Sequence, residues 1–160
     1  MTIRIAQPQD DDGLWAVLEP MIRAGDSYAL PPDWSREQTL AYWLGDGMTV
    51  FVVEENGAIL GSYYLRANNQ GGGAHVANCG YVVHPHAQGR GLARMMAEHS
   101  IDVAKERGFL AMQFNFVIAT NHAALKLWPS LGFENVGCIP KAFDHPTEGL
   151  VDAHIFHRTL

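Results

Sequence analysis

The stretch Gln88-Gly89-Arg90-Gly91-Leu92-Ala93 follows an apolar run at residues 79–83 and opens a segment whose apolar residues recur at helical spacing. This order predicts a strand, a glycine-containing turn and a helix. Such a turn directs several backbone N–H groups toward one point at the positive end of the helix dipole, which suits a pyrophosphate. The glycines leave room for the phosphates, because a Cβ would block their close approach.

Two common phosphate motifs do not fit this stretch. The chain has no Gly-x-x-x-x-Gly-Lys-Ser/Thr loop, and Arg94 follows where a dinucleotide-binding turn would have its third glycine. The stretch resembles Gln/Arg-x-x-Gly-x-Gly/Ala, the pyrophosphate loop of the GNAT acyl-CoA N-acyltransferases. Taken by itself, the six-residue pattern also fits an ordinary glycine turn before a surface helix.

A second block, Asn121-His-Ala-Ala-Leu-Lys-Leu-Trp-Pro-Ser-Leu-Gly132-Phe133, follows a strand-like run at residues 109–118. It resembles the GNAT signature Asn-x-x-Ala-x-x-Leu-Tyr-x-x-x-Gly-Phe and lies at the expected distance downstream of the loop. In that family the helix lies beside the pantetheine arm, to which the asparagine hydrogen-bonds. The resemblance covers residues 48–160 well and the N-terminal part loosely, and it implies one GNAT domain over residues 1–160.

The fold that this resemblance implies is a mixed α/β fold. Its central sheet is mostly antiparallel, with helices on both faces and two splayed central strands. The order of elements predicted from the sequence, β-α-α-β-β-β-α-β-α-β-β, agrees. Asn56-Gly57 predicts a hairpin turn, since both residues tolerate positive φ. The last two strands are expected at residues 133–139 and 151–157, joined by a long connection that contains Pro140 and Pro146.

The resemblance further implies acetyl-CoA as cosubstrate and no metal. The cofactor-binding residues that it implies are Tyr81, Val82, Val83, Gln88, Gly89, Arg90, Gly91, Leu92, Ala93, Asn121, Ala124, Leu127 and Trp128. An amine attacks the thioester directly, and backbone N–H groups near Val83 polarise the thioester carbonyl. The usual tyrosine acid of the family falls at Trp128, whose indole has no proton to give at neutral pH. Tyr81 and Tyr28 are the alternative acids.

Two asparagines are the candidate catalytic residues. Asn78 lies in the central strand and Asn115 in the next, and an amide orients an amine or binds a carboxylate but takes no proton. Taken singly, each is better explained as a hydrogen-bonded bulge or edge residue.

A closer resemblance favours the functional interpretation of these asparagines. It is carried by His75-Val-Ala-Asn78-Cys-Gly-Tyr-Val-Val, by Phe114-Asn115-Phe116-Val and by Pro140-Lys141-Ala142-Phe143-x-His145-Pro146. These segments resemble the GNAT subfamily that contains the fungal azetidine-2-carboxylate N-acetyltransferases, which acetylate toxic proline analogues. This resemblance implies a detoxifying enzyme in which Asn78 and Asn115 hold the substrate and Asn121 holds the cofactor.

The loop between the first two helices lines the acceptor side in GNAT proteins. Tyr28 and Trp34 are therefore candidate substrate-pocket residues, and the alternative is that each merely packs the loop. His84 and His86 precede the phosphate loop, but a metal site needs three or four convergent ligands. No metal site is expected.

The composition excludes other classes of function. The formal charge is −6 with no basic run, which argues against a nucleic-acid partner. No run approaches ~18 apolar residues and no signal-peptide pattern is seen, so a cytoplasmic protein without a membrane span is expected. Cys79 and Cys138 fall in apolar segments, which favours buried free thiols. The apolar final strands and the family resemblance suggest a homodimer.

Three hypotheses remain open from the sequence. The first is an N-acetyltransferase acting on a small-molecule amine, specifically an amino acid or analogue. The second is a GNAT enzyme with another acceptor, such as an antibiotic, a polyamine or a protein amine. The third is a CoA-binding sensor without catalysis, which Trp128 favours, whereas Asn78 and Asn115 favour the first.

Overall fold

The computed structural model describes all 160 residues, with seven strands and four α-helices. The strands are β1 (Thr2–Ile5), β2 (Thr49–Glu55), β3 (Ala58–Ala67), β4 (Val76–Val83), β5 (Ala111–Ile118), β6 (Glu134–His145) and β7 (Gly149–Thr159). The helices are α1 (Asp11–Ala24), α2 (Arg36–Trp43), α3 (Leu92–Glu106) and α4 (His122–Ser130). Short 3₁₀ turns lie at Pro8–Asp10, Gly71–Gly73 and Pro85–Ala87. The predicted order of helices and strands is confirmed.

All seven strands form one sheet in the order β1-β2-β3-β4-β5-β7-β6. Every neighbouring pair is antiparallel except β4 and β5, which are parallel. Their ladder is short: it pairs Val76 with Ala111 and Ala77 with Met112, and the two strands then separate. The predicted fold class, with splayed central strands, is confirmed.

Helices cover both faces of the sheet, because successive side chains of a strand point to opposite faces. Tyr64 and Val82 pack on one face with α1 and with Trp43 of α2. Tyr63 and Cys79 pack on the other face with residues of α3 and with Trp128 of α4. The sheet therefore separates two hydrophobic clusters, and the gap between β4 and β5 is an opening within that sheet.

The predicted long connection before the last strand is wrong. β6 continues to His145 and β7 begins at Gly149, so the two strands form an extended hairpin. Pro140 is tolerated because β6 is an edge strand and the pairing is interrupted between Ile139 and Phe143. At this bulge Lys141 has a φ of 50°, and its backbone N–H donates to the Asp152 carboxylate over 2.9 Å.

Both cysteines are free thiols, as predicted, but only Cys79 is buried. Cys138 is exposed, because β6 forms the edge of the sheet and most of its residues face solvent. None of the helices combines the length and the apolar character needed to cross a bilayer.

Candidate active site

A cleft of about 1020 Å³ opens where β4 and β5 separate. The α1–α2 loop, β3, β4, β5, α3 and α4 all contribute to its walls. The predicted site residues that line it are Tyr28, Asn78, Tyr81, Val82, Val83, Gln88, Gly89, Gly91, Leu92, Ala93, Asn115, Asn121, Ala124, Leu127 and Trp128. The fold therefore brings the two sequence blocks and both asparagines to one place.

One edge of β4 is left open by the separation of the strands. The His84 N–H donates to Leu60 O on the β3 side. The backbone N–H and C=O groups of successive residues point to opposite sides of a strand, so every second residue of β4 faces away from β3. Val83 and Tyr81 therefore direct their N–H and C=O groups toward the gap. The Tyr81 carbonyl accepts the Tyr28 hydroxyl over 3.0 Å. These N–H groups lie where the sequence predicts oxyanion donors near Val83, and that role stays a prediction.

The phosphate loop presents a helix N-terminus to the cleft. Gly89 and Gly91 have φ values of 76° and 81°, a region that favours glycine. The first bond into α3 runs from Met95 N to Gly91 O, so the N–H groups of residues 92–94 have no partner within the helix. The first turn of α3 contains no acidic residue. This arrangement suits an anion such as a pyrophosphate.

Two predicted site residues lie outside the cleft. The Arg90 guanidinium donates to both carboxylate oxygens of Glu55, at 3.0 and 2.8 Å, and its side chain is directed to that partner. Trp34 packs against Tyr42 with ring centroids 5.7 Å apart and does not line the pocket. Neither side chain lines the cleft, so the binding roles of Arg90 and Trp34 stay predictions, and the packing of Trp34 agrees with the alternative of an aromatic residue that packs its loop.

Helix α4 forms the opposite wall. Asn121 caps it by accepting the Ala124 N–H at Oδ1 over 3.2 Å, which leaves the Asn121 Nδ2 group available to donate. Trp128 is buried, and its ring centroid lies 4.3 Å from that of Phe114 and 5.3 Å from that of Tyr81. Trp128 is thus part of the aromatic packing behind the cleft.

The Tyr81 side chain belongs to the core and not to the chemistry of the cleft. Its hydroxyl pairs with Ser100 Oγ over 2.7 Å on the α3 side, and burial raises the pKa of Tyr81 well above its ordinary value. Tyr81 therefore contributes only its backbone to the gap, and as an alternative acid it is wrong. Burial likewise raises the pKa of the neighbouring Cys79 thiol to about 12, which leaves it protonated and unreactive.

Both candidate asparagines line the cleft, and both are hydrogen-bonded within the protein. Asn78 is buried and donates from Nδ2 to Gln113 O over 2.9 Å. The exposed Asn115 donates from Nδ2 to Asn68 Oδ1 over 2.6 Å and accepts from Gln113 Nε2 over 2.9 Å. Each amide nitrogen keeps a second N–H, so a role toward a substrate stays a prediction.

The part of the cleft beside the α1–α2 loop contains residues that the sequence alone did not single out. Tyr42, Tyr64 and Arg66 join Tyr28 there. The Tyr64 ring lies directly over Gly80, where an added Cβ would come within 2.5 Å of it. Burial raises the pKa of Tyr28 and Tyr64 far above the ordinary value, so both phenols stay neutral. The one feature of the sequence that could have indicated these residues was Arg66, a charged residue near the end of an apolar strand.

The histidines do not form a metal site. No group of three or more His, Cys, Asp or Glu side chains is arranged to hold an ion. His84 and His86 line a separate groove, and His145 is the one histidine at the cleft. Its Nδ1 accepts the N–H groups of Thr147 and Glu148 at 3.2 Å, which directs its remaining proton to Nε2 when the ring is neutral.

Known proteins share this arrangement. A family model described as the Acetyltransferase (GNAT) family matches residues 15–133. The structure of a GCN5-related N-acetyltransferase from Kribbella flavida superimposes with a TM-score of 0.93 and is 39% identical in sequence. That match covers 99% of this chain and 97% of the other.

Two curated relatives match a large part of the chain. N-acetyltransferase aca1 of Schizosaccharomyces pombe is 35% identical over 100 residues, 62% of this chain and 48% of that protein. L-amino acid N-acyltransferase MnaT of Escherichia coli is 33% identical over 109 residues, 68% of this chain and 60% of that protein. The chain thus spans about half the length of the curated relatives that it matches. From the family model and the full-length structural match, we conclude that this protein belongs to the GNAT acetyltransferase family.

Proposed function

We propose that this protein transfers an acetyl group from acetyl-CoA to the amine of a small molecule, an amino acid or an analogue such as azetidine-2-carboxylate. The observation that carries the proposal is the continuous cleft through the gap between β4 and β5. It joins an anion-binding helix N-terminus at Gly91 to an aromatic pocket around Tyr64. The similarity to MnaT, an L-amino acid N-acyltransferase, supports the acceptor class.

Each part of the cleft has one task in this proposal. Bound acetyl-CoA supplies the thioester. The N–H groups of residues 92–94 hold its pyrophosphate, and Asn121 Nδ2 donates to its pantetheine arm. The Val83 N–H, on the open edge of β4, polarises the thioester carbonyl. The neutral tyrosines and Asn78 line the space from which the amine attacks.

The sulfur receives no proton from a strong acid in this arrangement. Trp128 has none to give. Tyr28 and Tyr64 hold their protons, because burial raises their pKa values, whereas a thiol has an ordinary pKa of about 8.5. Proton transfer from either phenol to a thiolate is therefore uphill. The departing thiolate therefore takes its proton from solvent, and the amine loses its own proton to solvent.

Acetyl-CoA-dependent release of free thiol tests the proposal. The acceptor panel sets azetidine-2-carboxylate, proline and 4-hydroxyproline against primary amino acids, polyamines and aminoglycosides. Saturable release with azetidine-2-carboxylate supports the proline-analogue acceptor and a detoxifying role. Release with primary amines alone keeps the reaction and discards that acceptor. Binding of acetyl-CoA without release for any amine contradicts transfer and favours the sensor.

The proposed assembly is a homodimer. β6 is an edge strand, and Val136 and Ile139 on it are 57% and 40% exposed, while Leu150 at the start of β7 is 61% exposed. An exposed apolar edge is a surface that proteins ordinarily cover. A single monomeric species in light scattering would contradict the dimer.

A further inference from the structure

Arg66 is the one arginine in this protein whose side chain has no hydrogen-bond or ion-pair partner. The other arginine side chains each donate to a carboxylate, a hydroxyl or a backbone carbonyl. Acceptors are not scarce, since the chain has 17 Asp and Glu against 11 Lys and Arg. Even so, the Arg66 Nε is buried without any acceptor. A buried donor without a partner is unusual in a folded protein and requires an explanation.

The position of Arg66 points to a ligand. It lies near the end of β3, opposite Asn78 in the register of β3 and β4, and it lines the cleft. It shares a sheet face with Tyr64, two residues earlier on the strand. β4 and β5 are still paired at Ala77 and separate beyond it, so Arg66 lies beside the point where the gap begins.

The surroundings of Arg66 are neutral. Tyr64 and Tyr28 keep their protons because burial raises their pKa values, and Asn78 carries no charge. Asp26 is the single acidic residue that lines the cleft, and it is exposed on the α1–α2 loop. Arg66 is half-buried, with Nε out of contact with solvent. A guanidinium without a charged partner attracts an anion, and its planar fork matches the two oxygens of a carboxylate.

We infer that Arg66 binds the carboxylate of the acceptor, which makes the acceptor an amino acid whose carboxylate lies close to its amine. Polyamines, aminoglycosides and peptide N-termini lack such a group. The inference rests on the proposed function and names the feature of the substrate that the site selects. Asn78 and Asn115 already share their amide nitrogens with Gln113 O and Asn68 Oδ1, so Arg66 is the stronger carboxylate ligand.

Binding to the CoA-saturated protein, measured by isothermal titration, tests this inference without requiring turnover. Each acid is matched with the amine that lacks its carboxylate: azetidine-2-carboxylate with azetidine, L-proline with pyrrolidine and L-alanine with ethylamine. At least one acid is expected to bind about 30-fold or more tightly than its matched amine, because only the acid can form a bidentate charge pair with Arg66. Equal affinities within every pair, or no binding of any acid, would overturn the inference.

Variants then assign the preference to Arg66. Arg66→Gln is expected to remove the preference for the acid while the affinity for CoA stays within about twofold of wild type. Arg66→Lys keeps the charge, loses the fork and should retain part of the preference. Arg107→Gln is the control, because Arg107 is exposed and donates to Thr49 Oγ1 away from the cleft. A preference that survives in Arg66→Gln contradicts the inference.

The two proposals fail separately. Thiol release with amines that lack a carboxylate, at rates equal to those for the matched acids, leaves acetyl transfer intact and removes the role of Arg66. Acid binding that disappears in Arg66→Gln, in a protein that releases no thiol with any acceptor, supports the role of Arg66 and contradicts acetyl transfer.

Discussion

Asn78 bridges the two strands of the central sheet at the point where they part: its Nδ2 donates to the backbone carbonyl of Gln113 over 2.9 Å. The last paired residues of these strands are Ala77 and Met112, so the side chain replaces the next bond of the backbone ladder. Asparagine is otherwise unfavourable in a buried strand. Its presence here is explained by the carbonyl that the separation of β4 and β5 would leave without a partner.

Asn78→Ala is expected to lower the free energy of unfolding by about 1–3 kcal/mol, because it leaves the Gln113 carbonyl without a partner. Asn115→Ala is the matched comparison: Asn115 is exposed, and its loss should change stability by less than about 0.5 kcal/mol. Urea unfolding of both variants measures the contrast. Equal losses of stability would mean that the Asn78 hydrogen bond does not stabilise the point where β4 and β5 separate.

Asn115→Ala also tests the proposed role of Asn115 in the cleft. Asn115→Ala should lower turnover strongly while the affinity for acetyl-CoA changes little, since Asn115 lines the cleft from β5 and does not belong to the phosphate loop. Turnover is measured by thiol release and affinity by titration calorimetry. Wild-type turnover in Asn115→Ala would remove Asn115 from the list of catalytic residues.

Gly91→Ala is expected to weaken acetyl-CoA binding by about tenfold or more, equivalent to about 1.4 kcal/mol. Gly91 has a φ of 81° at the N-cap of α3, and a side chain there strains the loop and intrudes on the phosphates. Gly108→Ala is a close control, because Gly108 has a φ of 83° just beyond the other end of α3, and both glycines face open space.

Both glycine variants should lose stability by a similar amount, of about 1–2 kcal/mol, since both place a Cβ in the left-handed region. Only Gly91→Ala should lose affinity for acetyl-CoA. Titration calorimetry on the two folded variants separates the effects. A comparable loss of affinity in Gly108→Ala would show that general strain in α3, and not the loop, controls binding.

Trp128→Phe separates packing from acid catalysis. Trp128 packs against Phe114 and Phe133 in the core, so the variant should lose about 1–3 kcal/mol of stability. Turnover should fall by less than about tenfold, because a lost general acid would cost about 10²- to 10⁴-fold. Rates are compared at a temperature where both proteins are folded. A hundredfold loss of turnover with unchanged acetyl-CoA affinity would contradict a purely packing role.

The local sequence predicted those parts of the candidate site that are formed by backbone groups, namely the phosphate loop and the start of α4. Gly89 and Gly91 mark a loop whose conformation depends on its own residues, and Asn121 caps the helix that it begins. The predicted order of elements follows from periodicity in the same way. The hairpin of β6 and β7 was missed, because Pro140 ordinarily ends a strand and its tolerance depends on an edge position that tertiary pairing creates.

Side-chain partners far apart in sequence could not be predicted. Arg90 pairs with Glu55, 35 residues away, and this ion pair holds the Arg90 side chain outside the cleft. Arg66 is the converse case, since only the fold shows that no partner reaches it. In both cases the outcome depends on packing between residues far apart in sequence.

The stability of the protein is expected to depend on His99 in mildly acidic solution. His99 lies beside Tyr63, with Nδ1 and the phenol oxygen 2.6 Å apart, and burial lowers the pKa of His99. Burial raises the pKa of Tyr63, so the phenol donates and the neutral imidazole accepts. Protonation of His99 removes that acceptor.

The sign follows from the lowered pKa of His99. In the unfolded chain His99 titrates near its ordinary pKa of about 6.5, and in the folded protein it titrates at a lower pH. Its contribution is therefore complete above about pH 6.5 and declines as the pH falls toward the folded-state pKa. Urea unfolding between pH 7.5 and 5 should show a smaller decline in His99→Phe than in wild type. His122→Phe, at an exposed histidine, should follow the wild-type curve, and a wild-type pH dependence in His99→Phe would contradict this account.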